Sequence, residues 1–412
     1  MSVHSSRRRS NRAERLLVPA GFATTAGNAF QITAAAILVF RAEQTTLSVG
    51  WLFIAVSIPQ VALSVLFGRL VDRVDRRLLC VAADLVSAVT AVALPLWLWF
   101  GGPTSLGSYL ANFLLAGTAA LFMPASNALI KERIPDGYLG RFNSHYEMAT
   151  NTGMLLASAS AGFLVVLFGP TPLFIFNSGT FIVSAVLTYL IGRRPAVARV
   201  AAAVSDRPAA VVPVARARQP IKRLALLYTN GNIGLMVANT ILTALVLRTF
   251  HQGPWLIGVT DALAGAGFIT GAACYPWVSG RIRPLPLAVL GMLGNLTMFV
   301  IQPLNYIALM TAIPFAGFCF AQGRIAARTL LMRASPEDRV GRIFGGAQAV
   351  GLAMGVVATM GLAALADATT VPYAFWACAA LQGAIAVGTY LSLLKPMAVR
   401  EPAPAILEPT AV

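Results

Sequence analysis

Gly68-Arg69-Leu70-Val71-Asp72-Arg73-Val74-Asp75-Arg76-Arg77 packs six charged residues into ten positions. On either side stand apolar runs of helix length, residues 47–67 and 78–100, whose only charge is Asp84. A bilayer core of about 30 Å takes about 20 apolar residues per helix, so the pattern reads as two membrane spans joined by a short charged loop.

The same alternation runs along the whole chain. Apolar runs cover residues 16–40, 47–67, 78–100, 106–130, 145–168, 172–192, 223–248, 255–279, 285–302, 304–328, 342–366 and 371–394, the ninth and tenth divided only around Pro303 to Tyr306. Of the 412 residues 57% are apolar and 11% charged, where a soluble domain carries about a quarter charged residues. The expected fold is an all-α membrane protein of twelve transmembrane helices in two six-helix bundles. Its parts are a basic N-terminus (1–15), a first bundle (16–192), a linker (193–222), a second bundle (223–395) and a tail (396–412).

A net charge of +16 invites a nucleic-acid reading, but no basic domain exists. With the N-terminus in the cytoplasm, both termini and the even-numbered loops, with the span ends beside them, hold 29 of the 31 Lys and Arg residues; Arg41 and Arg248 are left on the other side. An even number of spans also puts both termini on one side, so the expected location is the cell inner (plasma) membrane, multi-pass, with both termini cytoplasmic. The linker, rich in Ala, Val, Pro and Arg, is expected to be mobile and to lie against anionic headgroups. Cys80, Cys274, Cys319 and Cys378 fall one per span and read as small packing residues.

The halves share a repeat, a mark of many transporter folds. Ile134-Pro135-Asp136-Gly137-Tyr138-Leu139-Gly140-Arg141 follows span 4, and Ser335-Pro336-Glu337-Asp338-Arg339-Val340-Gly341-Arg342 follows span 10. Each has Pro, then an acid, then Gly-Arg at the start of the next helix. A fainter match pairs Gly68-Arg69 with Gly280-Arg281. In loop 2–3, Gly68 permits close helix approach. Asp72 can accept from a neighbouring helix N-terminus, and Arg73, Arg76 and Arg77 can pair with acids or lipid phosphate. Together with Gly140, Arg141, Gly341 and Arg342 they are expected to latch the halves in one state; the plainer alternative is a positive-inside anchor.

Gly68, Asp72, Arg73, Arg76 and Arg77 resemble the loop 2–3 signature of the major facilitator superfamily, and the six-plus-six plan agrees over almost the whole chain. Asp75, Asp84 and Gly140-Arg141-Phe142-Asn143-Ser144 are similar to one bacterial branch with enterobactin exporters, macrolide efflux proteins and Tap-like multidrug pumps. His145-Tyr146-Glu147 is similar to the Tap-like members. The resemblance implies alternating access driven by an ion gradient, usually protons. Two features differ: Gly27 is followed by Asn28 where many relatives carry an acid, and Gly153 to Gly162 of span 5 lacks the Gly-Pro motif of drug antiporters.

Ionisable groups inside spans are costly, so each is a functional candidate. Glu147 shares a helix face with Asn151. A carboxylate in an apolar cavity can load and release a proton, and an ion pair with Arg141 or Arg324 is the competing role. Asp261 in span 8 is the second proton candidate, and Asp84 in span 3 the third, with a structural pairing to the arginines of its own loop or to a neighbouring helix as its alternative. Asp367 reads as interfacial. Among uncharged polar residues, Asn28, Gln31, Asn127, Asn239 and Gln322 stand on spans 1, 4, 7 and 10, which line the path in the resembled superfamily; the alternative for each is interhelical hydrogen bonding. Arg324 and Arg328, four apart, are expected to snorkel to headgroups, with attraction of an anionic substrate as the other reading.

No Gly-x-x-x-x-Gly-Lys-Ser/Thr loop, no catalytic His/Cys/Asp cluster and no metal set is present in the sequence, so neither an enzyme nor a cofactor is expected. The expected function is a secondary active transporter, a proton-coupled exporter of small hydrophobic or amphipathic molecules such as a drug, natural product or siderophore. Its partners are that substrate, protons and the bilayer, with no nucleic acid, and a monomer is expected. Few paired charges inside the spans favour an apolar or weakly polar substrate. The alternatives are a nutrient importer on the same fold and a non-transporting sensor or scaffold.

Overall fold

The computed structural model describes residues 3–44, 46–192, 221–252 and 255–394. The linker expected at 193–222 lies outside the described residues except for its last two, and the tail at 396–412 lies outside them entirely.

The described residues form twelve long helices. In the first half these are α1 (Val3–Glu43), α2 (Thr46–Val71), α3 (Arg76–Trp99), α4 (Thr104–Arg133), α5 (Leu139–Phe168) and α6 (Thr171–Leu190). In the second they are α7 (Ile221–Ala244, continued by a π-helical turn Leu245–Thr249), α8 (Trp255–Ser279), α9 (Pro284–Ile301), α10 (Tyr306–Ala334), α11 (Val340–Ala368) and α12 (Val371–Leu394). Eleven are long and apolar enough to cross a bilayer. The other, α7, has 24 residues and packs among α10, α11 and α12. The expected all-α membrane fold is therefore the observed one.

The boundaries have local causes. Asp75 is extended and its carboxylate accepts from the backbone N–H groups of Arg77 (3.0 Å) and Leu78 (3.3 Å), so it caps α3. Asn305 does the same for α10, accepting from Ala308 N at 2.8 Å, which separates the ninth and tenth spans where hydropathy is least distinct. Side chains on the outside, Val89, Val166 and Val357 among them, are exposed and apolar, as a lipid-facing surface requires.

The five largest packing pairs of the first half recur in the second. The pairs α1–α5, α1–α6, α2–α4, α3–α4 and α3–α6 match α7–α11, α7–α12, α8–α10, α9–α10 and α9–α12. The loop repeat is geometric as well: Tyr138 N donates to Pro135 O at 2.9 Å, and Arg339 N donates to Pro336 O at 3.1 Å. The fainter match needs a correction. Arg73 and Val74 bond back to Leu70 O as Arg281 and Ile282 bond back to Val278 O. The true register is therefore 208 residues, with α3 starting at Arg76 and α9 at Pro284. Gly280 corresponds to Asp72, and the Gly-Arg pairs at 68 and 280 are one helical turn out of step.

Between the halves run two main contacts related by this repeat, α2 with α11 and α5 with α8, together with α5 against α10 and α4 against α11. The hydrogen bonds and ion pairs of these contacts gather toward the end of the molecule that carries the basic loops.

Candidate functional site between the two halves

At the α2–α11 edge the helices touch backbone to backbone. A Cβ on Gly68 would stand 2.7 Å from Gly341 O, and one on Gly345 would stand 2.3 Å from Ser64 O. Only glycine permits this approach. Arg339, the residue before α11, provides no side-chain cap. The N–H groups of Gly341 and Arg342, the second and third of the helix, bond instead to Asp72 at 2.8 and 3.2 Å, and Arg342 Nε adds a third bond at 3.1 Å. An acid of one half thus takes the place of the missing N-cap side chain of a helix in the other, where the helix dipole favours an anion. Arg76 spans the same joint, pairing with Glu132 of its own half at 3.3 Å and donating to the carbonyl of Glu337 in the other.

At the α5–α8 edge the contact is uncharged. The repeat equivalent of Gly345 is Ser144, whose hydroxyl donates to the carbonyl of Ala272. Gly140, the equivalent of Gly341, faces the buried Tyr275 ring, and a Cβ there would stand 3.4 Å from it. Asn143 Nδ2 reaches Thr329 Oγ1 of α10 at 3.0 Å.

Charge enters deeper, between α5, α4 and α10. Glu147, 4% exposed, receives Arg328 NH1 at 2.7 Å on one carboxylate oxygen and Arg324 Nε at 3.1 Å on the other. Arg328 NH2 continues to Asn127 Oδ1 at 2.8 Å, and its guanidinium lies 4.9 Å from the centre of the Tyr146 ring. Asn151 Nδ2 also reaches Glu147, at 3.4 Å. The cluster binds the first half to the second through the interior. Removing one partner of such a buried pair costs about 3–5 kcal/mol, because the other charge is left uncompensated.

The remaining candidates are distributed as follows. Arg77 is buried and bonds to Tyr189 O at 3.1 Å within its own half, and Arg73 is exposed. Arg141 pairs at 3.0 Å with Glu14 of α1, which also holds His145 at 2.5 Å. Of the two structural pairings expected for Asp84, the structure shows the one to a neighbouring helix and not the one to the loop arginines: its carboxylate is buried between α3 and α6 and accepts from Ser184 Oγ at 2.7 Å. Asp261 is exposed on α8. Asp367 and Arg248 pair at 2.5 Å on the surface.

Gln31 accepts from Asn177 Nδ2 at 3.2 Å, and Gln322 donates to Gly271 O at 2.7 Å, each within its own half; interhelical bonding replaces the cavity role expected for them. Asn28 is half-buried, and the side chain of Asn239 lies outside the described residues. The expected snorkelling of Arg324 and Arg328 is also corrected. Arg328 is 4% exposed and points inward, since a buried carboxylate facing it is a better partner than a headgroup beyond the helix end. Sequence reasoning missed the partner of Arg328, the role of Tyr275 and which helix start Asp72 would meet. The first had a signal: two arginines four apart opposite one intramembrane acid.

The model of the Major Facilitator Superfamily matches residues 17–359. The chain is 25% identical over 370 residues to the MFS-type transporter YfiS of Bacillus subtilis, covering 84% of each chain. It is also 25% identical over 401 residues to the multidrug efflux pump Tap of Mycobacterium tuberculosis, covering 90% of this chain and 91% of that one. Among solved structures it resembles a bacterial homologue of the iron transporter ferroportin in an outward-facing state, with TM-score 0.71 and 15% identity over 92% of this chain and 99% of the other. It also resembles the proton:xylose symporter XylE, with TM-score 0.74 and 14% identity over 94% and 95%. These structural likenesses are of fold. The chain belongs to the major facilitator superfamily and is a multi-pass membrane transporter.

Proposed function

We propose that this member of the major facilitator superfamily is a proton-coupled exporter of small hydrophobic or amphipathic molecules. It sits as a monomer in the plasma membrane with both termini and the basic loops in the cytoplasm. The observation that carries the mechanism is the joining of the halves at the basic end by Asp72 on α11 and by Glu147 on Arg324 and Arg328. These contacts hold the cytoplasmic side shut while the other side is open to release substrate. Rocking the halves apart there requires both sets to break. Asp72, with Gly68, Gly341 and Arg342, is the latch, and Arg76 reinforces it across the joint. Glu147 is the leading coupling residue, because a proton on it removes the one negative charge that draws two arginines of the opposite half. Asp261 and Asp84 are the next candidates, and Asn28, Asn127 and Asn239 are the residues proposed to line the path. Export as the direction is supported by the likeness to Tap over 90% of the chain.

The test uses inside-out vesicles carrying the protein, with an imposed proton gradient read by acridine orange. Adding transported amphipathic antibiotics should dissipate the gradient in wild type and fail to do so in Glu147→Gln; Asp261→Asn and Asp84→Asn are measured beside it. Equal dissipation in Glu147→Gln would remove it from the coupling role, and no dissipation by any compound would sink proton-coupled export.

A further inference from the structure

Arg328 of the second half enters a socket made by three residues of the first. Glu147 takes its NH1 at 2.7 Å and Asn127 its NH2 at 2.8 Å, which fixes two edges of the guanidinium. The third residue, Tyr146, meets it face on: Arg328 Cζ lies over the ring, 4.9 Å from its centre.

The ring is held from three sides by its own half. Phe142, one turn earlier on α5, stacks on it with centres 5.8 Å apart. Its hydroxyl is hydrogen-bonded to Ser126, the residue before Asn127 on α4. Consecutive residues of α4 therefore seat both the phenol and the guanidinium. Gly21 of α1 makes room for the ring, since a Cβ there would stand 2.6 Å from Tyr146 Cε2. The mount is complete without Arg328. A planar guanidinium can lie on an aromatic face while its edges bridge a carboxylate and an amide, and an ammonium cannot do all three.

Building on the transporter reading above, in which the Glu147–Arg328 pair helps hold the basic end shut, we infer that Tyr146 is a positioning residue. Its ring aims the Arg328 guanidinium at Glu147 and Asn127 and makes the socket specific for arginine. When the halves part, Arg328 leaves a socket whose ring stays in place for its return. Gly21 extends the device to α1: a side chain there would displace the ring and so loosen an ion pair in which α1 has no part.

Spin labels on Gly137 and Asp338, exposed on opposite halves, read the ratio of closed to open basic ends. Tyr146→Leu should lower that ratio about twofold to thirtyfold, the span of one cation–π contact, and Tyr146→Phe, which keeps the ring, should retain most of it. Gly21→Ala should lower it as well. In an Arg328→Gln background neither Tyr146→Leu nor Gly21→Ala should change the ratio further, because the ring then has no cation to aim. Arg328→Lys should close little better than Arg328→Gln. Equal losses in Tyr146→Phe and Tyr146→Leu, or losses as large with glutamine at 328 as with arginine, would make the ring a packing residue and overturn the proposal. Wild-type closure in Arg328→Lys would overturn it too. Were Tyr146→Leu not to fold, Gly21→Ala carries the same test, with and without Arg328→Gln. The underlying reading fails separately: a Glu147→Gln ratio equal to wild type sinks the interior pair as a closing contact. Loss of closure in Glu147→Gln with none in Tyr146→Leu or Gly21→Ala sinks the positioning role alone.

Discussion

The α2–α11 and α5–α8 edges are related by the internal repeat, yet they hold the halves together by different means. Along α2–α11 the backbones touch, and charge sits at the rim, where the Arg342 side chain is 50% exposed. Along α5–α8 a serine hydroxyl and a tyrosine ring fill a wider gap, and charge has moved inward to Glu147. The repeat positions explain the swap. Asp72 has Gly280 as its counterpart, so nothing can cap α5 as Asp72 caps α11. Glu147 has Gln348, and Arg328 has Asn127, the residue it bonds to across the interface. The scaffold is duplicated and its charge is not. A single buried acid can then act as one switch, where a symmetric pair would titrate as a coupled set.

The largest effect is expected where charge is deepest. Glu147→Gln leaves Arg324 and Arg328 without their carboxylate and should weaken the closed basic end by about 3–5 kcal/mol, more than a hundredfold in the closed-to-open ratio. Spin labels on Gly137 and Asp338, exposed on opposite halves, would show a longer distance gaining population. A distance distribution like that of wild type would mean that the interior charge does not hold the halves.

A cleaner contrast comes from one substitution at repeat-equivalent sites. In Gly341→Ala the new Cβ stands 2.6 Å from Gly68 O and 2.8 Å from Asp72 Oδ1, so the edge must part, at about 1–3 kcal/mol for overpacking. In Gly140→Ala it stands 3.4 Å from Tyr275, an ordinary contact, and the helix gains about 0.5–1 kcal/mol from losing a glycine. Gly341→Ala should lengthen the label distance and lower the melting temperature, whereas Gly140→Ala should leave the distance at its wild-type value and raise the melting temperature, because helix propensity counts equally with the halves closed or open. Equal shifts would erase the distinction between the edges.

Much of this was legible in the chain and some was not, for physical reasons. Twelve spans, the loop repeat and Asp72 at a helix start could be read because hydropathy, proline and glycine act locally. The capped residues of α11 lie about 270 positions from Asp72 and belong to a helix whose own cap position holds Arg339, which gives no hint of a partner. Gln31 and Gln322 stand on cavity-lining spans, but which face of a span looks inward depends on helix rotation, and polarity alone does not set it. Arg324 and Arg328 fall at the end of an apolar run, where snorkelling is the ordinary outcome. Only the placement of Glu147 opposite them turns them inward.

The smallest effects divide the rim itself. Asp72→Ala removes two bonds to backbone N–H groups from a carboxylate whose side chain is 6% exposed, and should cost about 0.5–2 kcal/mol, the usual range for losing an N-cap. Arg342→Gln removes only the Nε contact of a half-exposed guanidinium and should cost about 0–1 kcal/mol. Salt separates the two further. The Arg342 contribution should fade between low salt and about 1 M, where the screening length is about 3 Å, while the part of the Asp72 contribution made with the N–H of the buried Gly341 should persist, because that bond is sheltered in the joint. If both variants lost the same amount and both losses vanished in salt, the rim would be a surface ion pair. The cap on α11 would then add nothing to the closed state, and the α2–α11 edge would rest on glycine packing alone.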